Sequence, residues 1–320
     1  MRIVVKAPNW LGDAVMGLPA LRSLRAMRPG ARIAVLTKRG LADLYRCVTG
    51  ADEVLPYDTW LGAVRAVRGR FDVALLLPRS FSSALLAFTA RIPRRIGYAG
   101  EGRSALLTDR VPRDPDLLRR HRVYYYHRLL SRLGTPPDPE PPRLEVPEDA
   151  RSWADERLPR GPLVAVNPGA TYGAAKQWLP ERFAEVGRRI AARARVVIVG
   201  GPAEAALGAR IAAEIPGAID LSGRTSVSQL AAALARCRLF VTNDTGPMHV
   251  ADALGVPVVA IFGPTDPVTT PPFGRGHAII RKELECSPCL KRTCPLGHHR
   301  CMKSIATDEV WEACRERLDR

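Results

Sequence analysis

The strongest constraint on this chain is a rhythm that runs twice. Short apolar runs alternate with helix-period segments: Ile3–Ala7, Leu18–Met27, Ile33–Thr37, then Val73–Leu77 before Ala84–Ala90. Runs of this length bounded by turn residues read as buried parallel strands, and the segments between them as their crossover helices. A helical candidate ending near Leu133 gives way to TPPDPEPPRLEVP over residues 135–147, a proline-dense stretch that neither helix nor sheet can use, which places the linker there. The rhythm then restarts with Leu163–Val166, a helix from Pro180 to Ala192, Val196–Val199, helices over 203–214 and 227–235, Leu239–Thr242 and Val256–Phe262. Thr307-Asp308-Glu309 before Val310–Leu318 reads as a capped terminal helix. The 320 residues therefore divide into two α/β domains, 1–146 and 147–320, each with a parallel sheet flanked by helices. Two such sheets in tandem put their strand C-terminal ends, where open sheets bind ligands, on either side of a cleft.

Composition narrows the class. Apolar residues at 46% and charged residues at 25% are ordinary for a globular chain, and the 28 prolines form no tract. The net charge of +16 is uneven, with 28 Lys/Arg against 17 Asp/Glu in residues 1–160 and 20 against 15 in 161–320. The more basic first half suits a phosphorylated substrate, an anionic membrane face or nucleic acid; since 42 of the 48 basic residues are Arg, GC-rich coding accounts for part of it. The start lacks the apolar stretch of a signal peptide and no run approaches a spanning length, so the expectation is a cytoplasmic protein, peripheral at most to a membrane.

Several residues could carry chemistry. The first strand runs through Lys6 into Asn9-Trp-Leu-Gly12-Asp13, so Asp13 lies in a strand-to-helix connection at the sheet's ligand edge. It reads either as an N-cap or as a general base able to take a proton from a hydroxyl. Lys6, closing an apolar strand, is costly unless it meets an anion. No G-x-G-x-x-G follows, and Lys38 stands where a dinucleotide-binding fold would end its second strand in an acid, which disfavours a dehydrogenase. In the second half, Asn167-Pro-Gly169-Ala-Thr171 closes a strand and Lys176 follows as a point charge suited to phosphate; Glu204, after Gly200-Gly201-Pro202, can accept from ribose hydroxyls or complement its helix. The strongest run is Val241-Thr-Asn-Asp244-Thr245-Gly246-Pro247-Met248-His249, a strand passing through a polar turn into a helix over 247–254. Thr245 and Gly246 offer free N–H groups and a hydroxyl at a helix N-terminus, where a diphosphate is favoured, with Pro247 at the first helical position. Asp244 would repel a phosphate, so its job is to order the turn or bond a donor hydroxyl; His249 lies one turn in.

These blocks together resemble the lipopolysaccharide ADP-heptose heptosyltransferases of glycosyltransferase family 9, nearest to the type II branch. The likeness rests on WLGDAVMGLPALRSL at 10–24, LPRSFSSALLAFTARIPRRIGYAGEGRSALLTD at 77–109, NPGATYGAAKQW at 167–178 and VTNDTGPMHVADALGVPVVAIFGPTDP at 241–267. It implies the GT-B fold, two Rossmann-like domains facing across a central cleft, with acceptor on the N-terminal domain and nucleotide sugar on the C-terminal one. It implies inverting transfer from ADP-heptose to a phosphorylated lipid A core acceptor, with no cofactor required for catalysis. Asp13 matches the family's base, Lys176 the lysine that offsets charge on departing ADP, and Thr245, Gly246 and His249 the phosphate-side loop, with Thr171 and Glu204 matching more loosely. Arg79, Arg94, Arg95 and Arg103 are acceptor contacts by block position. The choice of ADP comes from the resemblance alone. Rival readings are a different acceptor, a GT-B nucleotide-sugar epimerase, and a basic metal-stapled nucleic-acid binder; against the last, aromatic content is 6% and no nucleic-acid motif appears.

Outside that pattern lies Cys286-x₂-Cys289-x₄-Cys294-x₆-Cys301, with His298 and His299 inside it. Four thiolates fit structural zinc or iron, and a related branch that glycosylates autotransporters looks similar in using four cysteines for iron at other spacing. Free thiols in a turn-rich loop, or a disulfide formed on oxidation, are the alternative.

Overall fold

A computed structural model describes residues 1–319. The chain forms two compact units, Met1–Glu145 and the residues from Val146 on. The proline-dense segment belongs to the first: Arg22 pairs with Glu140 at 2.8 Å, and the Glu145 N–H donates to Cys47 O at 2.9 Å.

The first unit holds six parallel strands, β1 Arg2–Lys6, β2 Arg32–Lys38, β3 Glu53–Tyr57, β4 Val73–Leu76, β5 Arg94–Tyr98 and β6 Asp109–Val111, in the order β3-β2-β1-β4-β5-β6. Both faces of the central strands are covered, as all-parallel sheets require. Val4, Ala34, Leu36, Ala74 and Leu76 pack on one side against Ala63, Val64 and Val67 of the helix Trp60–Val67 and Ala84, Leu86 and Ala87 of the helix Phe81–Thr89. The alternate residues Ile3, Val5, Ile33, Val35, Val73 and Leu75 are equally buried.

The second unit repeats the topology. Strands β7 Leu163–Asn167, β8 Arg195–Ile198, β9 Ile219–Asp220, β10 Leu239–Asn243, β11 Val258–Ile261 and β12 Ala278–Ile280 are parallel, in the order β12-β11-β10-β7-β8-β9. Counted from its own first strand this is the same 3-2-1-4-5-6 order, whose direction reverses between β1 and β4 and between β7 and β10. In such sheets ligands bind outside the strand C-termini at the reversal. The helix Pro180–Ala191 starts on a proline that needs no N–H partner there, and buries Phe183, Ala184, Val186, Gly187 and Ile190 at helical spacing. Trp178, fully buried, lies edge-on to Phe183 at 5.1 Å and donates its Nε1–H to Ile305 O at 3.1 Å.

Some expectations shift. The terminal helix is Thr307–Leu318 with Ala306 at its N-cap and no side-chain cap, so Thr307 is a first-turn residue. The helix expected to end near Leu133 is broken into Pro115–Leu118, Arg122–Arg128 and a 3-10 turn Leu129–Arg132. Strands β3, β5, β6, β9 and β12 carried no apolar run to find them by: four are polar or three residues or fewer, and β3 contains a proline, which an outer strand tolerates.

β1 ends in Lys6, 4% exposed, whose Nζ donates to Ala7 O at 2.5 Å and Asn9 Oδ1 at 3.2 Å and lies 5.2 Å from the Tyr57 ring centre. Among the described residues no carboxylate pairs with it. Burial, with a smaller push from Lys38, lowers its pKa from 10.5 to about 7.

Two outcomes follow from this packing. Trp178→Ala destabilises the second unit by about 3–5 kcal/mol, read from denaturant unfolding. Because the Lys6 pKa is depressed in the folded state, the unfolded chain binds more protons between pH 7 and 10.5. The destabilisation by Lys6 is thus full below pH 7 and fades as pH rises through that window. Lys6→Met raises the melting temperature most near pH 6, and the gain over wild type shrinks toward pH 10; a gain independent of pH contradicts this.

Candidate functional site

At the β7/β10 reversal, three chain segments are drawn together by one buried amide. Asn243, the last residue of β10 and fully buried, accepts from Trp178 N at 3.1 Å and donates to Pro168 O and Gly169 O, both at 3.0 Å. It thereby holds the loop after β7 against the turn after β10. Lys176, closing a 3-10 turn Ala174–Lys176, reaches across this junction: its Nζ lies 2.6 Å from Asp244 Oδ2 and 3.3 Å from Asp244 O, and 4.8 Å from the Tyr172 ring centre. Thr265 Oγ1 donates to the same Asp244 oxygen at 2.7 Å. Side-chain exposures of 13% for Lys176 and 6% for Asp244 make this a largely desolvated pair.

Beyond Asp244 the chain enters the helix Gly246–Ala253, with extended Thr245 as its N-cap. Gly246 is therefore the first helical residue and Pro247 the second, one place later than the spacing suggested. Thr245 makes no side-chain cap; its hydroxyl instead meets Thr242 Oγ1 at 3.1 Å, so the first-turn N–H groups have no capping side chain. With the positive end of the helix dipole, that is an arrangement suited to an anion. His249 is 4% exposed within this helix. Glu204 closes the site at β8. Its Oε2 accepts from Gly201 N at 2.8 Å, and a Cβ on Gly169 would lie 1.9 Å from its Oε1, so only glycine admits this carboxylate beside the β7 loop. Burial raises the Glu204 pKa against the opposing Gly201 N–H. Of the two sequence readings of Glu204, the hydrogen bond shows the one at the start of its own 3-10 turn, Pro202–Glu204. Thr171 is exposed in the β7 loop.

In the first unit, Asp13 lies in the helix Leu11–Met16, whose N-cap is Trp10, so the capping role does not apply to it. Its Oδ1 accepts a 2.7 Å hydrogen bond from the Tyr126 hydroxyl. Arg79 follows β4 at the same ligand edge, half-exposed and 3.9 Å from Glu101. Arg103 is 1% exposed: one terminal N–H donates to Pro78 O at 2.6 Å, its Nε and Nη2 have no hydrogen-bond partner, and burial lowers its pKa. It is not an open acceptor contact in this conformation.

Arg94 and Arg95 are corrected by the register. They begin β5, opposite Val73 and Ala74, at the end of the sheet remote from the Asp13 loop. Arg94 is held by Asp109 at 2.7 Å, and Arg95 by Leu106 O at 2.7 Å and Ile92 O at 2.6 Å. Their guanidiniums fasten the sheet's far edge.

Cys286, Cys289, Cys294 and Cys301 are all free, which agrees with the free-thiol reading, and among the described residues no three His, Cys, Asp or Glu form a group set to hold a metal ion. The loop they populate also braces the Lys176 turn: Ala175 N donates to Arg292 O at 3.0 Å, His299 Nε2 lies 2.8 Å from Ala175 O, and Tyr172 donates to Leu290 O at 3.2 Å. Backbone N–H groups, His299 first, lower the Cys294 pKa, and Cys301 is buried in the core.

Sequence reasoning missed Tyr126, Tyr172, Asn243 and Thr265. Asn243 was the most visible of them, an amide closing an apolar strand; Tyr126 gave no signal, since its partner lies 113 positions away.

The model of glycosyltransferase family 9 (heptosyltransferase) matches residues 60–300. The chain is 32% identical to lipopolysaccharide heptosyltransferase 2 of Salmonella typhimurium, over 98% of this chain and 97% of that protein. The solved structure of the ADP-heptose lipopolysaccharide heptosyltransferase II of Escherichia coli superposes with a TM-score of 0.86 at 30% identity, covering 99% of this chain and 98% of that one, which confirms the GT-B α/β class. A UDP-GlcNAc 2-epimerase of Methanocaldococcus jannaschii, with a TM-score of 0.54 at 9% identity over 100% of this chain and 92% of its own, shares the fold alone. A family match across most of the chain, joined to a full-length likeness, makes this protein a member of glycosyltransferase family 9, the heptosyltransferases.

Proposed function

We propose that the protein is an inverting transferase that moves heptose from ADP-heptose to the lipopolysaccharide inner core, adding the second heptose to a heptosyl-Kdo2-lipid A acceptor. The observation that carries the reading is the β7/β10 junction, where Lys176 and the uncapped N-terminus of Gly246–Ala253 sit side by side. In this reading the N–H groups at Thr245 and Gly246 receive the diphosphate, Lys176 neutralises charge on the leaving ADP, and His249 supports the same loop. Asp244 holds Lys176 while the site is free and bonds a donor hydroxyl when it is filled. Glu204 accepts from ribose hydroxyls, and Thr171 adds a hydroxyl at the phosphates.

The second unit thus binds donor and the first unit acceptor. Asp13 takes the proton of the acceptor hydroxyl, that oxygen attacks the anomeric carbon of heptose from the face opposite ADP, and the carbon–oxygen bond to ADP breaks with its electron pair leaving on the diphosphate. One displacement inverts the anomeric centre. No metal takes part in the step. Zinc or iron at the cysteine loop would only staple the brace of the Lys176 turn, and a purified active protein free of both excludes that. Lys6 and Arg79 are the acceptor-side cations at the ligand edge, where a phosphorylated acceptor relieves the unpaired charge of Lys6. No helix among the described residues is long and apolar enough to cross a membrane. In this reading the lipid-anchored acceptor is met at the cytoplasmic face of the inner membrane from a peripheral position.

Purified protein given ADP-heptose releases ADP only when heptosyl-Kdo2-lipid A is present, followed by mass spectrometry, and the new linkage has inverted configuration. ADP release that ignores the acceptor, or none with a verified acceptor, overturns the assignment. Asp13→Asn lowers kcat by about 10²–10⁴-fold while leaving ADP-heptose affinity within about twofold.

A further inference from the structure

We propose that Tyr126 is the positioning residue of the catalytic carboxylate: its hydroxyl pins Oδ1 of Asp13 so that Oδ2 is left to take the acceptor's proton. The inference rests on the assignment of Asp13 as base and extends it to a residue that no motif marked.

The geometry is specific. The Tyr126 hydroxyl lies 2.7 Å from Asp13 Oδ1, and Tyr126 is only 6% exposed. Burial, then the charge of Asp13, pushes its pKa well above 10.0, so the phenol stays protonated and can serve Asp13 only as a donor. A carboxylate at the end of a rotatable bond presents two equivalent oxygens; a fixed donor on one of them makes them unequal and sets the plane of the other. Proton transfer within a positioned pair depends on that orientation.

The phenol is itself fixed. Tyr126 belongs to the helix Arg122–Arg128, whose N-cap His121 accepts from Val123 N at 3.1 Å through Nδ1. On one side its ring stands edge-on to Tyr125 at 5.6 Å, and Tyr125 stacks on Tyr98 at 4.1 Å with an interplanar angle of 16°. Tyr98 of β5 donates to Tyr125 O at 2.5 Å, binding helix to sheet. On the other side His127 Nε2 meets Ser23 Oγ at 3.1 Å, binding it to the helix Leu18–Met27. The titratable groups facing the Tyr126 hydroxyl are Asp13, Arg122 and Tyr125. An aromatic stack and two cross-links therefore hold one oxygen atom at one place, which packing alone does not require: phenylalanine would fill the same volume.

A hydroxyl that orients the base acts on turnover and leaves ADP-heptose binding unchanged, so kcat and KM respond differently to its loss. Three proteins with melting temperatures measured alongside decide the matter: Tyr126→Phe, 3-fluorotyrosine introduced at 126, and Asp13→Asn. In Tyr126→Phe, kcat falls about tenfold, the size of one hydrogen bond to a charged group, while KM for ADP-heptose stays within about twofold. With 3-fluorotyrosine, which keeps the hydroxyl donor, kcat stays within about twofold of wild type. A kcat that Tyr126→Phe leaves unchanged, with Asp13→Asn inactive, overturns the positioning role and leaves the base assignment standing. An active Asp13→Asn overturns both.

Discussion

The donor-side site depends on one desolvated ion pair. Lys176 and Asp244 belong to loops 68 positions apart, and they meet at 2.6 Å with little solvent on either side. Neither charge would be tolerated there alone: removing one partner of a buried pair typically costs about 3–5 kcal/mol, because the other is left uncompensated. The pair therefore fixes the loop after β7 to the turn after β10, and Asn243 and Thr265 supply the remaining hydrogen bonds on the same atoms and backbone. It also keeps a cation beside an uncapped helix N-terminus without exposing it to bulk water. A diphosphate arriving there finds a charge already in position, which is the condition under which electrostatic stabilisation of a leaving group is strongest.

The first unit solves a different problem on the same topology. Its reversal between β1 and β4 carries a carboxylate and cations, the proposed base Asp13 with Lys6 and Arg79, rather than an uncapped helix start. Lys6 is buried without a carboxylate partner and carries a pKa depressed to about 7; Asp13 stands beside it in sequence, held by Tyr126. A site that must receive a phosphorylated hydroxyl compound benefits from both, a cation whose desolvation is relieved by the substrate and a carboxylate already oriented toward the proton. The two units share strand order, and the residues at their reversals differ.

Much of this was legible in the chain. Central strands are continuous apolar runs because both of their faces are covered, so β1, β2, β4, β7, β8, β10 and β11 announce themselves; outer strands such as Glu53–Tyr57 and Ile219–Asp220 do not, being short, polar or half-solvated. Asp244, Thr245 and Gly246 stood out because local spacing places them between a strand end and a helix start, whereas Lys176 stood out chiefly through the family resemblance. What local spacing cannot show is which groups meet across the fold. Asp244 was expected to order its turn or to bond a donor hydroxyl, and nothing local showed that its carboxylate meets Lys176 and Thr265. Arg94 and Arg95 lie in a block shared with the family yet at the wrong end of their strand, a distinction that only the sheet register carries. The cysteine run left a metal or free thiols open, and its spacing gave no sign that the backbone around it and His299 brace the turn before Lys176. Tyr126 was invisible for the plainest reason, that hydrogen bonds over long sequence separation leave no periodic trace.

The central claim is that the Lys176 turn and the helix start at Thr245–Gly246 hold the donor's diphosphate. Calorimetric binding of ADP and of adenosine to wild type and to Lys176→Ala/Asp244→Asn tests it most directly, since the double change removes both charges and leaves no buried carboxylate unpaired. ADP affinity falls by about 10–100-fold, the value of charge-assisted contacts to phosphate, while adenosine binding is unchanged. Equal ADP affinity in the two proteins would contradict the account.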